Sequence, residues 1–125
     1  MFEEFLANGN LLSIALMVYV GNVMMEALRR DRLDPHGINT PHIIKSPVSA
    51  LIMVASIPCA ILPAIYIGTY SGWVAGLIAW VVLQVAGGVL SIVLGIRGAL
   101  IGFHFILATI ALPIGYFLCL SDMFA

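Results

Sequence analysis

The chain has 125 residues, of which 62% are hydrophobic and 9% are charged, and its formal net charge is −1. Soluble domains carry roughly 25% charged residues, and a soluble domain this small buries too little of its surface to hide so much apolar area. The composition therefore excludes an ordinary soluble domain and indicates a protein of the lipid bilayer, while the low net charge argues against a nucleic-acid partner.

The positions of the charged residues predict four transmembrane helices. Stretches without Asp, Glu, Lys or Arg run from 5 to 25, from 46 to 96 and from 98 to 121. A membrane span needs roughly 20 apolar residues, so the middle stretch accommodates two helices, separated by the turn TYSGW at 69–73. We therefore predict an all-α, polytopic membrane protein with one transmembrane domain over residues 1–125. Its four helices form a bundle and lie at about 5–29, 47–68, 73–96 and 98–120.

The first predicted helix contains Glu26, the one carboxylate inside a predicted span. Arg29 and Arg30 follow it by three and four residues, the spacing of ion pairs on one helix face. A coupling-ion or substrate role is the alternative, since ionisable groups inside membranes often serve transport. Asn22, one turn earlier, is predicted either to bond a neighbouring helix or to line a pathway.

The first connection reads DRLDPHGINTPHIIKSP and is predicted to form successive turns. Its His36 and His42 are too few ligands for a metal site, so we predict neither a metal nor a cofactor. Basic residues cluster in this connection, and Arg97 lies in the third. The positive-inside rule therefore predicts that connections one and three are cytoplasmic and that both termini lie outside. The basic residues of the first connection are Arg29, Arg30, Arg32 and Lys45.

Three prolines fall within predicted spans: Pro58 and Pro63 in the second helix and Pro113 in the fourth. Proline removes one helical hydrogen bond and frees the carbonyl four residues earlier, here those of Val54 and Cys59 in the second helix. In lipid such carbonyls need another donor, usually on a neighbouring helix. We therefore predict kinks at all three prolines, and those in the second helix are tolerated because neighbouring helices surround it.

Two short segments, LPAIY at 62–66 and LPIGY at 112–116, share Leu, Pro and Tyr at an offset of 50 residues. This pattern suggests a duplicated two-helix hairpin, and internal repeats are common in transporters. The alternative is that Leu-Pro pairs and interfacial tyrosines recur because membrane helices use them generally.

Small residues recur every four positions on the second and third predicted helices. Such ridges let two backbones approach closely and drive helix association in lipid. The equivalent positions of the fourth helix are bulky, and we expect them to face lipid or to fit a groove. We predict helix packing by Ser56, Ala60, Ala64 and Gly68 on the second helix and by Gly87, Ser91 and Gly95 on the third.

Two further polar residues lie inside predicted spans: Gln84, near the middle of the third helix, and His104, about two turns into the fourth. Gln84 is predicted either to bond a neighbouring helix or to line a pathway. His104 is predicted to be a neutral side chain bonded to a backbone or side-chain group, and the alternative is a proton-relay or gating role. His104 and Glu26 lie at similar depths, so we expect them to share one site, where a carboxylate beside an imidazole makes a pH-responsive pair. Arg30 competes for Glu26.

The sequence contains no nucleophile–base pair, phosphate-binding loop or paired carboxylates, and we predict no enzyme. The predicted function is an oligomeric transporter or channel component, in which the kinked second and fourth helices shape a pathway lined by Gln84, Asn22, Glu26 and His104. The alternative is an accessory subunit that packs against a larger membrane complex, which the shortage of intramembrane charge favours. The predicted partners are the bilayer and either further copies of the chain or other membrane subunits.

Overall fold

The computed structural model describes residues 2–38, 40–96, 98 and 100–124, and within them the chain is helical and contains no strand. The all-α prediction is confirmed. Among these residues, four helices are long and apolar enough to cross a membrane: Leu11–Leu33, Pro47–Ser71, Trp73–Val93 and Ile101–Met123.

The helices differ from the predicted ones mainly at their ends. A short helix, α1, precedes the first span, and Asn10 begins that span by accepting a hydrogen bond from the Ser13 N–H at 3.1 Å. The second span is divided into two α-helices joined by a 3-10 segment. The elements are α1 (Glu3–Asn8), α2 (Leu11–Leu33), α3 (His42–Lys45), α4 (Pro47–Ala55), the 3-10 segment (Ile57–Ala60), α5 (Leu62–Ser71), α6 (Trp73–Val93) and α7 (Ile101–Met123).

Helix α2 is the centre of the fold. It packs most extensively on α7 and also contacts the 3-10 segment and α6, while α5 packs on α6. The α2–α7 approach is close because Gly115 has no side chain: a Cβ there would lie 3.3 Å from Cγ of Met17. Within the described part of the chain, α6 and α7 do not pack extensively, although they follow each other in sequence. The first and fourth spans are therefore neighbours, as are the second and third.

One end of the bundle joins the beginning of the chain to its last helix. Phe5 of α1 packs edge-on against Tyr66 of α5, with ring centroids 5.0 Å apart. The Tyr66 hydroxyl accepts a hydrogen bond from the Asn10 N–H at 2.7 Å and donates to the Asp122 carboxylate. Tyr70 also donates to Asp122, at 2.7 Å. The N-terminal segment, the end of α5 and the end of α7 thus lie together.

The opposite end holds the first and third connections. Arg30, near the end of α2, donates through Nη2 to the carbonyl oxygen of Gly98 at 2.8 Å. Lys45, at the end of α3, pairs with Asp31 in the last turn of α2 at 2.9 Å. Arg97, the basic residue of the third connection, lies outside the described residues.

Gly95 is a predicted residue of the packing ridge on the third helix, but the structure gives it a different role at the end of α6. Gly95 lies beyond Val93, the last residue of the helix, and has a φ of +67°. Its N–H donates to the Ile92 carbonyl at 3.3 Å, and the Ile96 N–H donates to the Ser91 carbonyl at 3.0 Å. These two bonds form a Schellman motif, which favours glycine in the left-handed position. Gly95 therefore terminates α6 instead of packing within it.

The small residues of α5 and α6 face different neighbours. A Cβ at Gly76 of α6 would lie 2.9 Å from the Ala64 carbonyl oxygen and 3.3 Å from Cα of Gly68, so α5 and α6 meet backbone to backbone. A Cβ at Gly87 would lie 2.3 Å from Nδ2 of Asn22, so the far half of α6 meets α2. The ridge of α5 thus contacts Gly76 and not the Gly87 ridge.

The remaining ridge positions lie at the break in the second span. Ser56 is buried at the end of α4, and its hydroxyl donates to the Met53 carbonyl at 2.6 Å. Ala60 is exposed at the end of the 3-10 segment. The break therefore interrupts the predicted ridge, because a four-residue repeat forms one stripe only on a continuous α-helix.

Candidate functional site

The break in the second span is built by its two prolines. Pro58 is the second residue of the 3-10 segment and Pro63 is the second residue of α5. Proline is tolerated in the first turn of a helix, where its missing N–H would have no intrahelical acceptor. Each proline therefore starts a new helical segment, which is a larger interruption than the predicted kinks.

Side chains of two neighbouring helices bond the backbone at this break. The Tyr116 hydroxyl of α7 donates to the Ala55 carbonyl at 2.5 Å, and the Trp80 indole of α6 donates to the Ala60 carbonyl at 3.0 Å. An unpaired carbonyl in hydrocarbon costs several kcal/mol, so these bonds stabilise the break. The acceptors lie one residue after Val54 and Cys59, the predicted free carbonyls, since the chain changes to 3-10 hydrogen bonding at the break.

The fourth span is not divided at its proline. Helix α7 continues from Ile101 to Met123 with Pro113 inside it. The Thr109 hydroxyl, four residues before the proline, donates to the Phe105 carbonyl at 2.8 Å. The second span is therefore broken where the fourth is continuous, and the predicted hairpin duplication stays a prediction.

A cavity of about 200 Å³ lies beside the break, between α2, the divided second span and α6. Its lining includes Asn22 of α2 and Gln84 of α6, two of the four predicted pathway residues, together with Ser56 at the break. Most other lining side chains are apolar. The cavity thus combines an apolar wall with a few amide and hydroxyl groups.

A second cavity, of about 310 Å³, adjoins the first along α2. Its lining comprises Asn22, Met25, Glu26, Arg29 and Ser91, and the first two of these also line the first cavity. We call the two cavities together the α2–α6 groove. The groove extends from the middle of the second span to the end of α2 that carries the basic residues.

The two amides of the groove differ in their bonding. Asn22 donates through Nδ2 to the Val18 carbonyl at 2.8 Å and accepts from the Ser91 hydroxyl at 3.2 Å, so it links α2 to α6. Gln84 is exposed near the middle of α6, and its carboxamide has no hydrogen-bond partner among the described residues. Gln84 is therefore the polar group of the groove that is available to something else.

Glu26 lies at the basic end of the groove, and its side chain is only 6% exposed. Its carboxylate accepts hydrogen bonds from Arg29 at 2.8 and 2.9 Å and from Arg30 at 3.2 Å. The ion pairs predicted from the three- and four-residue spacings are present. Two arginines thus surround one carboxylate, so the charge of Glu26 is more than compensated and this end of the groove is basic.

His104 lies elsewhere, between α2 and the end of α6. Its Nδ1 is 2.7 Å from the Tyr19 hydroxyl and its Nε2 is 2.9 Å from the Leu94 carbonyl oxygen. A neutral ring with the proton on Nε2 satisfies both contacts, because it donates to the carbonyl and accepts from the hydroxyl. No hydrogen bond or ion pair joins His104 to Glu26 among the described residues, since both nitrogens of the ring and both oxygens of the carboxylate have other partners. The expected shared site stays a prediction.

The sequence does not predict the hydrogen bonds that the hydroxyls of Tyr19 and Tyr116 make. Each carries a hydroxyl into a span, and a buried Tyr hydroxyl usually finds a hydrogen-bond partner. Their presence inside apolar stretches is the signal that marks them as bonding groups. Their acceptors depend on tertiary contacts that one sequence does not specify.

The fold and the groove define a class: a small all-helical protein with four helices of membrane-spanning length around a central α2. Comparison of the chain with protein family models, with curated proteins and with solved structures gives no match. No group of three or more His, Cys, Asp or Glu side chains within the described ranges is placed to hold a metal ion.

Proposed function

We propose that this chain is an integral membrane protein and a component of a transporter or channel, with the α2–α6 groove as part of the pathway. The observation that carries the proposal is Gln84, a carboxamide in the middle of an apolar helix that lines a cavity without a partner among the described residues. An unpaired amide in hydrocarbon costs several kcal/mol. Water or a polar solute in the groove removes that cost.

The charges orient the proposed pathway. The groove ends at Glu26 and Arg29, beside the connections that carry the basic residues. The positive-inside rule makes this the cytoplasmic end. Both termini and the turn between α5 and α6 then lie outside.

The exposure of α6 supports an oligomer. Only 22% of the most apolar 18-residue stretch of α6 is buried within the chain, compared with 44% for the same length of α2. One copy therefore leaves the α6 side of the groove uncovered. We propose that further copies of the chain enclose it.

Accessibility of Gln84 to water tests the pathway. The Gln84→Cys variant is made in a Cys59→Ser, Cys119→Ser background. It is treated with a membrane-impermeant cationic methanethiosulfonate reagent, added to both sides of open membranes. Val85→Cys is the control, since Val85 is 65% exposed but lies about 100° further around the helix. We expect position 84 to react at least about tenfold faster than position 85, because the reactive thiolate forms in water and not in lipid. Equally slow reaction at both positions would contradict a water-filled groove.

An accessory subunit is the second candidate, and the exposed α6 favours it too. In that case a different protein covers α6 and bonds Gln84. The mass of the complex purified in mild detergent separates the two candidates: a pure multiple of the chain mass supports the oligomeric pathway. A stoichiometric complex with a second polypeptide, together with an unreactive position 84, supports the accessory subunit.

A further inference from the structure

Sulfur atoms are concentrated at the cavity beside the helix break. The chain has six methionines and two cysteines. Of these, Met24, Met25, Met53 and Cys59 line this one cavity of about 200 Å³. They come from three elements, α2, α4 and the 3-10 segment, so the tertiary fold assembles the group.

The burial of these side chains suits a binding site. Met24 and Cys59 are 3% and 4% exposed, respectively, and Met53 is partly buried. Met25 is 67% exposed and also lines the second cavity, which places it where the two cavities join. The arrangement is an inner set of three sulfur-bearing side chains with a fourth at an opening.

The sulfur atom of Cys59 has bonding capacity left. Its Sγ donates to the Tyr116 hydroxyl at 3.5 Å, and no donor among the described residues bonds the sulfur lone pairs. A thioether sulfur is only a weak hydrogen-bond acceptor. The chemistry for which these groups are well suited is coordination of a soft metal ion.

We infer that this cavity binds a soft monovalent cation, Cu(I) or its analogue Ag(I), through Met24, Met53 and Cys59, with Met25 at the entrance. Thioether and thiolate ligands select Cu(I) over cations that prefer oxygen, and binding of the ion to Cys59 releases the thiol proton to water. Ca²⁺ and Mg²⁺ require several oxygen ligands instead. Glu26, the carboxylate that lines the second cavity of the groove, is already bound by two arginines. The inference names the substrate class of the proposed pathway and rests on that proposal for transport, but not for binding.

Titration with Ag(I), which does not cycle between oxidation states as copper does, tests the site. Trp80 lines the cavity, while Trp73 packs against Gly68. The tryptophan fluorescence of a Trp73→Phe variant therefore comes from Trp80 alone. Cys119→Ser is added, because Cys119 and Met123 form a second sulfur pair, 3.6 Å apart, near the other end of α7. We expect saturable quenching of fluorescence by silver nitrate in chloride-free detergent buffer, at one ion per chain, and none by sodium nitrate.

Methionine variants assign the ligands. Met→Leu nearly conserves volume, so Met24→Leu and Met53→Leu should fold, which a thermal unfolding curve checks. We expect each to raise the Kd for Ag(I) by at least about tenfold, since the loss of even an outer partner of a metal ligand has an effect of that size. Met17→Leu, in the α2–α7 contact, should leave the Kd unchanged. An unchanged Kd in both cavity variants would mean that Cys59 alone captures the ion, and would overturn the inference.

The two proposals fail in different ways. Absence of Ag(I) binding with fast labelling of position 84 overturns the sulfur site and leaves the water-filled pathway. Ag(I) binding that depends on Met24 and Met53, with position 84 unreactive, overturns the pathway and leaves the binding site.

Discussion

The hydroxyl of Tyr116 donates to the carbonyl oxygen of Ala55 at 2.5 Å, which ties the last span to the point where the second span breaks. Tyr116→Phe removes the donor and leaves the carbonyl unpaired. We expect a loss of about 1–3 kcal/mol in the free energy of unfolding, the cost of a polar group left without a hydrogen bond in apolar surroundings.

Unfolding of the purified protein by a denaturing detergent measures this loss. Phe117→Leu is the control, because Phe117 is 72% exposed and a surface substitution changes stability by about 0.5 kcal/mol or less. Equal stability of the Tyr116→Phe variant and the parent would show that the bond contributes nothing.

The contact between α5 and α6 makes a prediction for two glycines of α6. Gly76→Ala places a Cβ 2.9 Å from the Ala64 carbonyl oxygen, so the helices must separate, at a cost of about 1–3 kcal/mol for overpacking. Gly88→Ala meets nothing within 4 Å, and better helix propensity should make it neutral or stabilising by about 0.5–1 kcal/mol. Thermal unfolding in detergent compares the two, and equal midpoints would argue against the close backbone approach.

His104 should be energetically coupled to Tyr19 and not to Glu26. A double-mutant cycle of Tyr19→Phe with His104→Ala should give a coupling energy of about 0.5–3 kcal/mol, as residues in direct contact do. The matched cycle of Glu26→Gln with His104→Ala should give a value near zero. Strong coupling in the second cycle would restore a shared site. Unfolding free energies of the six proteins provide both values.

The proposed orientation predicts labelling from outside intact cells. In the cysteine-free background, Cys at the exposed Asn8 should react with an impermeant maleimide, and Cys at the exposed His36 should react only after permeabilisation. The physical reason is the positive-inside rule, because four of the five basic residues lie in the last turns of α2 or in the connection that follows it. The reverse pattern would invert the topology.

Much of the helical pattern follows from the sequence because a bilayer imposes one requirement, a long stretch without charges. That requirement locates all four spans. A long stretch without charges looks the same whether it forms one helix or a short helix followed by a long one. The sequence therefore does not predict the separation of α1 from α2. The Schellman motif at Gly95 is missed for a related reason, since a glycine within an apolar stretch reads equally well as a ridge residue.

The site is less predictable because it depends on helix rotation. Pro58 and Pro63 mark the break, but its donors, Trp80 and Tyr116, come from helices whose orientation no local pattern fixes. Depth alone predicts a meeting of Glu26 with His104, but each of them bonds other residues in the structure. The group of sulfur-bearing residues is equally hard to predict from the sequence, because its members come together only through the packing of three elements.

The hydrogen bonds that join Asn10, Tyr66 and Asp122 have a consequence for biosynthesis. A ribosome delivers Asn10 early and Asp122 more than a hundred residues later. Domains fold as the chain emerges, from its N-terminal part onward, so the N-terminal segment has no complete docking surface until α7 has been synthesised. The end of the bundle that holds Asn10, Tyr66 and Asp122 is therefore the last part to close, because its hydrogen bonds are complete only when α7 is in place.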